Sequence, residues 1–175
     1  MTSTETLTGE RADLHEALTK QRFFLRFTVK GLDEEQIRQR STVSELTLGA
    51  LIKHVTQVER QWANFIVEGP SAMGNFSEFT PEQLAAWAAG FQLGDDVTLA
   101  DLLAEYDAVA KRTDELVASL PDLDASHPLP EAPWFQPNTR WSARRALVHI
   151  VAETAQHSGH ADIIREAIDG QKSMG

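Results

Sequence analysis

Residues 48–66 read LGALIKHVTQVERQWANFI, and this stretch decides the fold. Leu48, Leu51, Ile52, Val55, Val58, Trp62, Phe65 and Ile66 fall at three- and four-residue steps. That is one face of an α-helix, and it does not match the two-residue alternation of a strand. The pattern persists until Gly69-Pro70, and Ser44 ahead of it is the expected N-cap, with Thr47 inside the first turn. Three other stretches carry the same period. Leu14, Leu18, Phe24, Leu25 and Phe27 stripe a helix from about Glu10 to Lys30, with Gly31 as its stop. Leu99, Leu102, Leu103, Tyr106, Val109, Leu116 and Val117 stripe another from Thr98 to Leu120, ended by Pro121. The last opens at Trp141-Ser142 and reaches Ile168, where Asp169-Gly170 closes it.

Between the second and third of these helices the chain loosens into Gly, Pro, Ser and Asn among aromatic residues, with room for a short helix after Thr80-Pro81. Residues 121–140 hold Pro121, Pro128, Pro130, Pro133 and Pro137 and are expected to form an ordered loop. No strand is expected. Helices alone must bury their apolar stripes against one another, so the expected fold class is all-α, a four-helix bundle with long crossing loops.

With 175 residues the chain is expected to form a single bundle domain over residues 1–170, followed by a disordered tail over 171–175. Lys and Arg number 16 against 26 Asp and Glu, a net charge of −10. That balance argues against a nucleic-acid partner, which needs a basic surface. No stretch approaches the roughly 20 apolar residues that cross a membrane. The polar start MTSTETLTGER lacks the basic and apolar regions of a signal peptide. A cytoplasmic protein acting on a small molecule is the expectation, with no membrane partner. The absence of cysteine excludes disulfides, thiolate metal sites and a cysteine nucleophile.

The chemistry-bearing residues crowd the last helix. Of the 6 histidines, His149, His157 and His160 lie within HIVAETAQHSGH, residues 149–160. His149, Glu153 and His157 stand at i, i+4 and i+8 on one face, each about 6 Å further along the axis. Neighbours four apart can point at one ion, whereas the outer two, roughly 12 Å apart, cannot. Glu153 and His157 are the chosen pair, because small Ala152, Ala155, Ser158 and Gly159 around them let another helix or a ligand approach.

On the second helix His54 shares its face with Leu51, Val58 and Gln61, where an imidazole needs a partner. One cation would satisfy all three side chains. A His₂-Glu set leaves coordination positions open, as catalytic sites do. Its donors suit a divalent cation, zinc foremost, with nickel, iron or manganese as alternatives. The spacing equally admits an ordinary reading, with His54 a hydrogen-bonded core residue and Glu153–His157 an intrahelical polar pair. His149 is expected in the core or in support of the ligands. His160 would line the mouth of the site as a proton carrier, or stand solvated. His15 and His127 carry no readable signal.

WSARRALVHIVAETAQHSGHADIIREAIDG, Trp141 to Gly170, resembles the C-terminal helix of the DinB-like metal-binding four-helix bundles. LGALIKHVTQVERQW, Leu48 to Trp62, resembles their second helix. The likeness covers nearly the whole chain in matching order and is nearest to the mycothiol-dependent, maleylpyruvate isomerase-like branch. Most of the family carries His at both positions four apart on the last helix. Glu153 at the first departs from that pattern and resembles the mycothiol-dependent isomerase. The resemblance implies His54, Glu153 and His157 as metal ligands, and a thiol S-transferase or isomerase activity using a low-molecular-weight thiol such as mycothiol.

On that reading a thiol at the open metal position is held deprotonated and attacks a small electrophile. A chain without cysteine suits this chemistry, since the sulfur comes from the cosubstrate. His160 is the candidate catalytic residue. Trp62, with Trp134 and Phe135, would wall the electrophile. Arg140 and Arg144, beside Arg145 at the start of the last helix, would bind a carboxylate of substrate or thiol, since basic groups there oppose the helix dipole. The alternatives are a non-catalytic metal- or ligand-binding bundle and a metal-dependent hydrolase with His160 or Glu59 as base. Phe76, Phe79 and Trp87 would offer an apolar surface for a homodimer.

Overall fold

The computed structural model describes residues 7–73, 80–83 and 92–173. Among them run four long helices, α1 (Gly9–Phe27), α2 (Leu48–Glu68), α3 (Leu99–Ser119) and α4 (Ala143–Asp169). α2 packs against both α3 and α4, and α1 against α4, which closes the all-α bundle. No described helix is long and apolar enough to cross a membrane.

The helix ends follow local chemistry. α2 starts later than expected, because Thr47, extended at φ −119° and ψ 160°, accepts a hydrogen bond from the Ala50 amide at 3.3 Å. Ser44, the expected cap, instead accepts from the Leu46 amide at 3.1 Å. α3 opens on a reciprocal capping box between Thr98 and Asp101. It stops at Ser119, since Leu120 precedes Pro121 and turns to ψ 128°. α1 ends at Phe27 and tightens into i→i−3 bonds, Thr28 to Leu25 and Lys30 to Phe27, before Gly31. Ser142 caps α4 by accepting from the Arg145 amide at 3.1 Å, and Gly170, at φ 81°, closes it. Past α4, the Ser173 amide donates to Asp162 at 2.6 Å.

The proline-rich stretch corrects the expectation of no strand. β1 (Ser126–Pro128) pairs antiparallel with β2 (Arg140–Ser142), with His127 opposite Trp141. The Leu129 amide extends the ladder to the Thr139 carbonyl at 2.8 Å. Strands this short carry too few alternations to be read from sequence, and Pro130, Pro133 and Pro137 fall in the connecting loop, where no ladder donor is required. The hairpin seats on the end of α2 at Gly69, whose φ is 72°. A Cβ there would lie 2.8 Å from His127 Nδ1. Of the short helix expected after Thr80, residues 81–83 are helical, and Thr80 and Gln83 exchange hydrogen bonds across that turn. Phe76, Phe79 and Trp87, with the homodimer surface they were expected to form, lie outside the described residues.

The core has two apolar halves. One, near the hairpin, holds Leu14, Leu18, Phe65, Val117, Leu147 and Ile150. The other holds Leu25, Ile37, Ile52, Val55, Tyr106 and Ile164. The polar cluster of Arg22, Glu59 and Asp114 joins three helices inside the bundle. Arg22 of α1 grips Glu59 of α2 at 2.5 Å and Asp114 of α3 at 2.7 Å. Buried Thr56, Thr113, Thr154 and Ser158 satisfy their hydroxyls on carbonyls four residues back.

Candidate metal centre

The contact between α2 and α4 brings His54 against Glu153 and His157. One potential ligand atom from each lies within 4.8 Å of the other two. The His54 and His157 rings meet edge to face, centroids 4.7 Å apart. Glu153 lies between two imidazoles: Nε2 of His157 is 3.6 Å from one carboxylate oxygen, and Nε2 of His149 is 3.6 Å from the other. Those separations exceed a hydrogen bond. The His157–Glu153 separation approaches the spacing of two donors on one ion, since ligands about 2.1 Å from zinc at tetrahedral angles stand roughly 3.4 Å apart.

Electrostatics prepares His54 and Glu153. Burial, with the His157 imidazole beside it, pushes His54 down to about 4, so its ring is neutral and able to ligate at neutral pH. The approach of His157, with His149 adding to it, holds the Glu153 carboxyl below its usual range despite burial. Nδ1 of His157 is buried and has no hydrogen-bond partner among the described residues. A neutral His54 imidazole, a His157 imidazole with an unsatisfied nitrogen, and the ionised Glu153 carboxylate, brought together from two helices, are a donor set that a divalent cation fits.

Alongside Glu153 opens a cavity of about 320 Å³. Val58 and Trp62 of α2, Met73 after it, and Trp134 and Phe135 of the hairpin loop form its apolar wall, with Gln61, His149 and Glu153 contributing polar atoms. Trp62 is fixed from behind by Trp141, stacked at 4.6 Å. His149 turns its ring edge-on to Trp62 at 4.8 Å and Trp141 at 5.0 Å and lines the cavity, while its Nε2 stays 3.6 Å from Glu153. Met73 had no sequence signal, because its place depends on the turn after Gly69.

The remaining candidates divide. His160 is exposed, its ring 5.7 Å from that of His157. Arg140 donates to Ser126 of the paired strand, and Arg144 is engaged by Glu10 and Asp124, so neither lines the cavity. Arg145 covers the outer face of Trp141, 4.0 Å from its centroid. Glu59 is fully buried and paired with Arg22, which removes it as a base for a water-activating site. The signal was present in α1, where Arg22 continues the buried Leu14–Leu18 stripe and so requires an anion inside the bundle.

A family model described as mycothiol-S-transferase matches residues 13–170. The chain belongs to the mycothiol-S-transferase family. A crystal structure of a conserved protein from Enterococcus faecalis shares the fold of this family member. Its TM-score is 0.64 over 94% of this chain and 100% of that one, at 12% identity. No curated protein is similar enough in sequence to match.

Proposed function

We propose that this protein is a metal-dependent thiol S-transferase in which His54, Glu153 and His157 hold a divalent cation, zinc foremost, and a mycothiol-type thiol reacts with a small electrophile. The single observation that carries this reading is the convergence of the three donors within 4.8 Å at the edge of a cavity. A cation held there supplies the positive charge that stabilises a thiol as its thiolate at neutral pH. His54 and His157, both half-buried, would contribute nitrogen donors, and a ligating imidazole adds no charge. Glu153 contributes one negative charge, which leaves a net positive centre for an anionic sulfur.

In the reaction the sulfur lone pair forms the new C–S bond, and the electron pair of the broken bond leaves with the halide or opens the epoxide to an alkoxide. The thiol proton passes to solvent or to exposed His160, the candidate catalytic residue. Trp62 borders the electrophile side. Arg140 and Arg144 remain binders for a thiol carboxylate only if they release their present partners. Of the two bases a hydrolytic reading would use, Glu59 is sealed against Arg22.

The test is spectroscopic. The Co²⁺-loaded protein, titrated with mycothiol, is expected to develop sulfur-to-metal charge-transfer bands and to conjugate monochlorobimane, and His54→Ala and His157→Ala are expected to lose both. An unchanged Co²⁺ spectrum with no conjugation would reject the transferase in favour of a binding protein.

A further inference from the structure

Resting on the transferase reading, we infer that the cavity beside Glu153 seats the apolar, aromatic body of the electrophile, and that the polar body of the thiol stays outside it. The cavity's composition makes the choice. Val58, Trp62, Met73, Trp134 and Phe135 make up most of its wall, and Gln61, His149 and Glu153 are the polar side chains among its lining. A sugar-based thiol carries hydroxyls all around its rings, and most of them would face hydrocarbon here without partners. A flat aromatic body meets ring faces and edges instead.

Size points the same way. About 320 Å³ is at the small end of ligand cavities, suited to a compact body of naphthalene size and too small for a disaccharide-like thiol. The wall is also preformed. Trp62 is 5% exposed and stacked on Trp141, whose other face carries Arg145, so the cavity does not depend on a guest to hold it open. Trp134, 58% exposed, stands at the rim with its ring 6.1 Å from Phe135. Glu153 belongs both to the donor cluster and to the cavity lining, so an occupant abuts the place where sulfur would be held. Specificity for the electrophile then resides in the hairpin loop and α2, apart from the ligand set.

The experiment uses 2-acetylnaphthalene, an unreactive aromatic probe, with the full-length chain in both metal-free and zinc-loaded form. Tryptophan fluorescence is expected to be quenched saturably in both forms without any thiol. Val58→Phe, which fills the cavity, is expected to weaken probe binding by about tenfold or more. Phe135→Ala, which opens the wall and adds no bulk to the bundle, is expected to weaken it also, and circular dichroism melts confirm that each variant is folded. Mycothiol is expected not to compete with the probe in the metal-free protein. Probe binding that is absent, or unaltered in folded Val58→Phe and Phe135→Ala, would overturn the inference, as would competition by mycothiol. Failure of the Co²⁺ spectrum to respond to thiol would overturn the transferase reading while leaving the probe measurement to stand on its own.

Discussion

His54 and His157, donated by different helices, meet edge to face with ring centroids 4.7 Å apart. Two imidazolium ions at that distance would repel each other inside a half-apolar contact, so the pair is stable only while at least one ring is neutral. Burial and this neighbour together hold His54 at about 4, against an ordinary 6.5.

Between those two values the unfolded chain binds a proton at His54 that the folded chain refuses. Stability is therefore fully present above the unfolded value and falls as pH drops toward the folded one. His149, also pushed down by burial, adds in the same direction. Urea midpoints of chelator-treated protein should decline from about pH 7 to about pH 5, and His54→Gln should decline less. Equal slopes for the two proteins would contradict this account.

Cation binding to the folded state alone should raise the melting temperature, with a stabilisation of about 2.7 kcal/mol at a free concentration one hundred times Kd. Chelator should reverse the shift. His157→Ala, which removes one of three donors, should respond little to zinc. A variant that gains as much as the wild type would place the ion elsewhere.

Glu59 is fully buried against Arg22, with Asp114 as the second anion. Glu59→Leu strands part of a buried guanidinium charge and should cost about 3–5 kcal/mol, reduced by whatever Asp114 retains. The double variant Arg22→Leu with Glu59→Leu should recover most of that loss. Denaturant titrations of the two single variants and the double variant measure the coupling directly.

Gly69→Ala should destabilise by about 1–3 kcal/mol, because φ 72° with ψ −154° is open essentially to glycine alone. The new Cβ would also press on His127, 2.8 Å away, and so on β1. Thermal melts check the stability. Loss of quenching by the aromatic probe would further show that the hairpin sets the cavity wall.

The bundle was legible because each helix announces itself locally. The apolar steps of residues 48–66, the helix start at Thr98 and the stop at Gly170 depend only on neighbours in the chain. The pairing of Glu153 with His157, four residues apart, was readable for the same reason. The N-cap of α2 was misplaced because Ser44 and Thr47 are chemically equivalent, and only the turn around Ser44 distinguishes them.

Sequence alone determined four amphipathic rods, an acidic cysteine-free chain and a Glu153–His157 set at helical spacing. Tertiary structure decided that His54 meets that set, that His149 turns toward two tryptophans, and that Glu59 is sealed against Arg22. It also decided that a proline-rich stretch closes as a hairpin over the end of α2. The reason is range. Periodicity and capping arise from contacts a few residues apart, whereas the partner of a polar side chain depends on how two helices rotate against each other to bury their stripes.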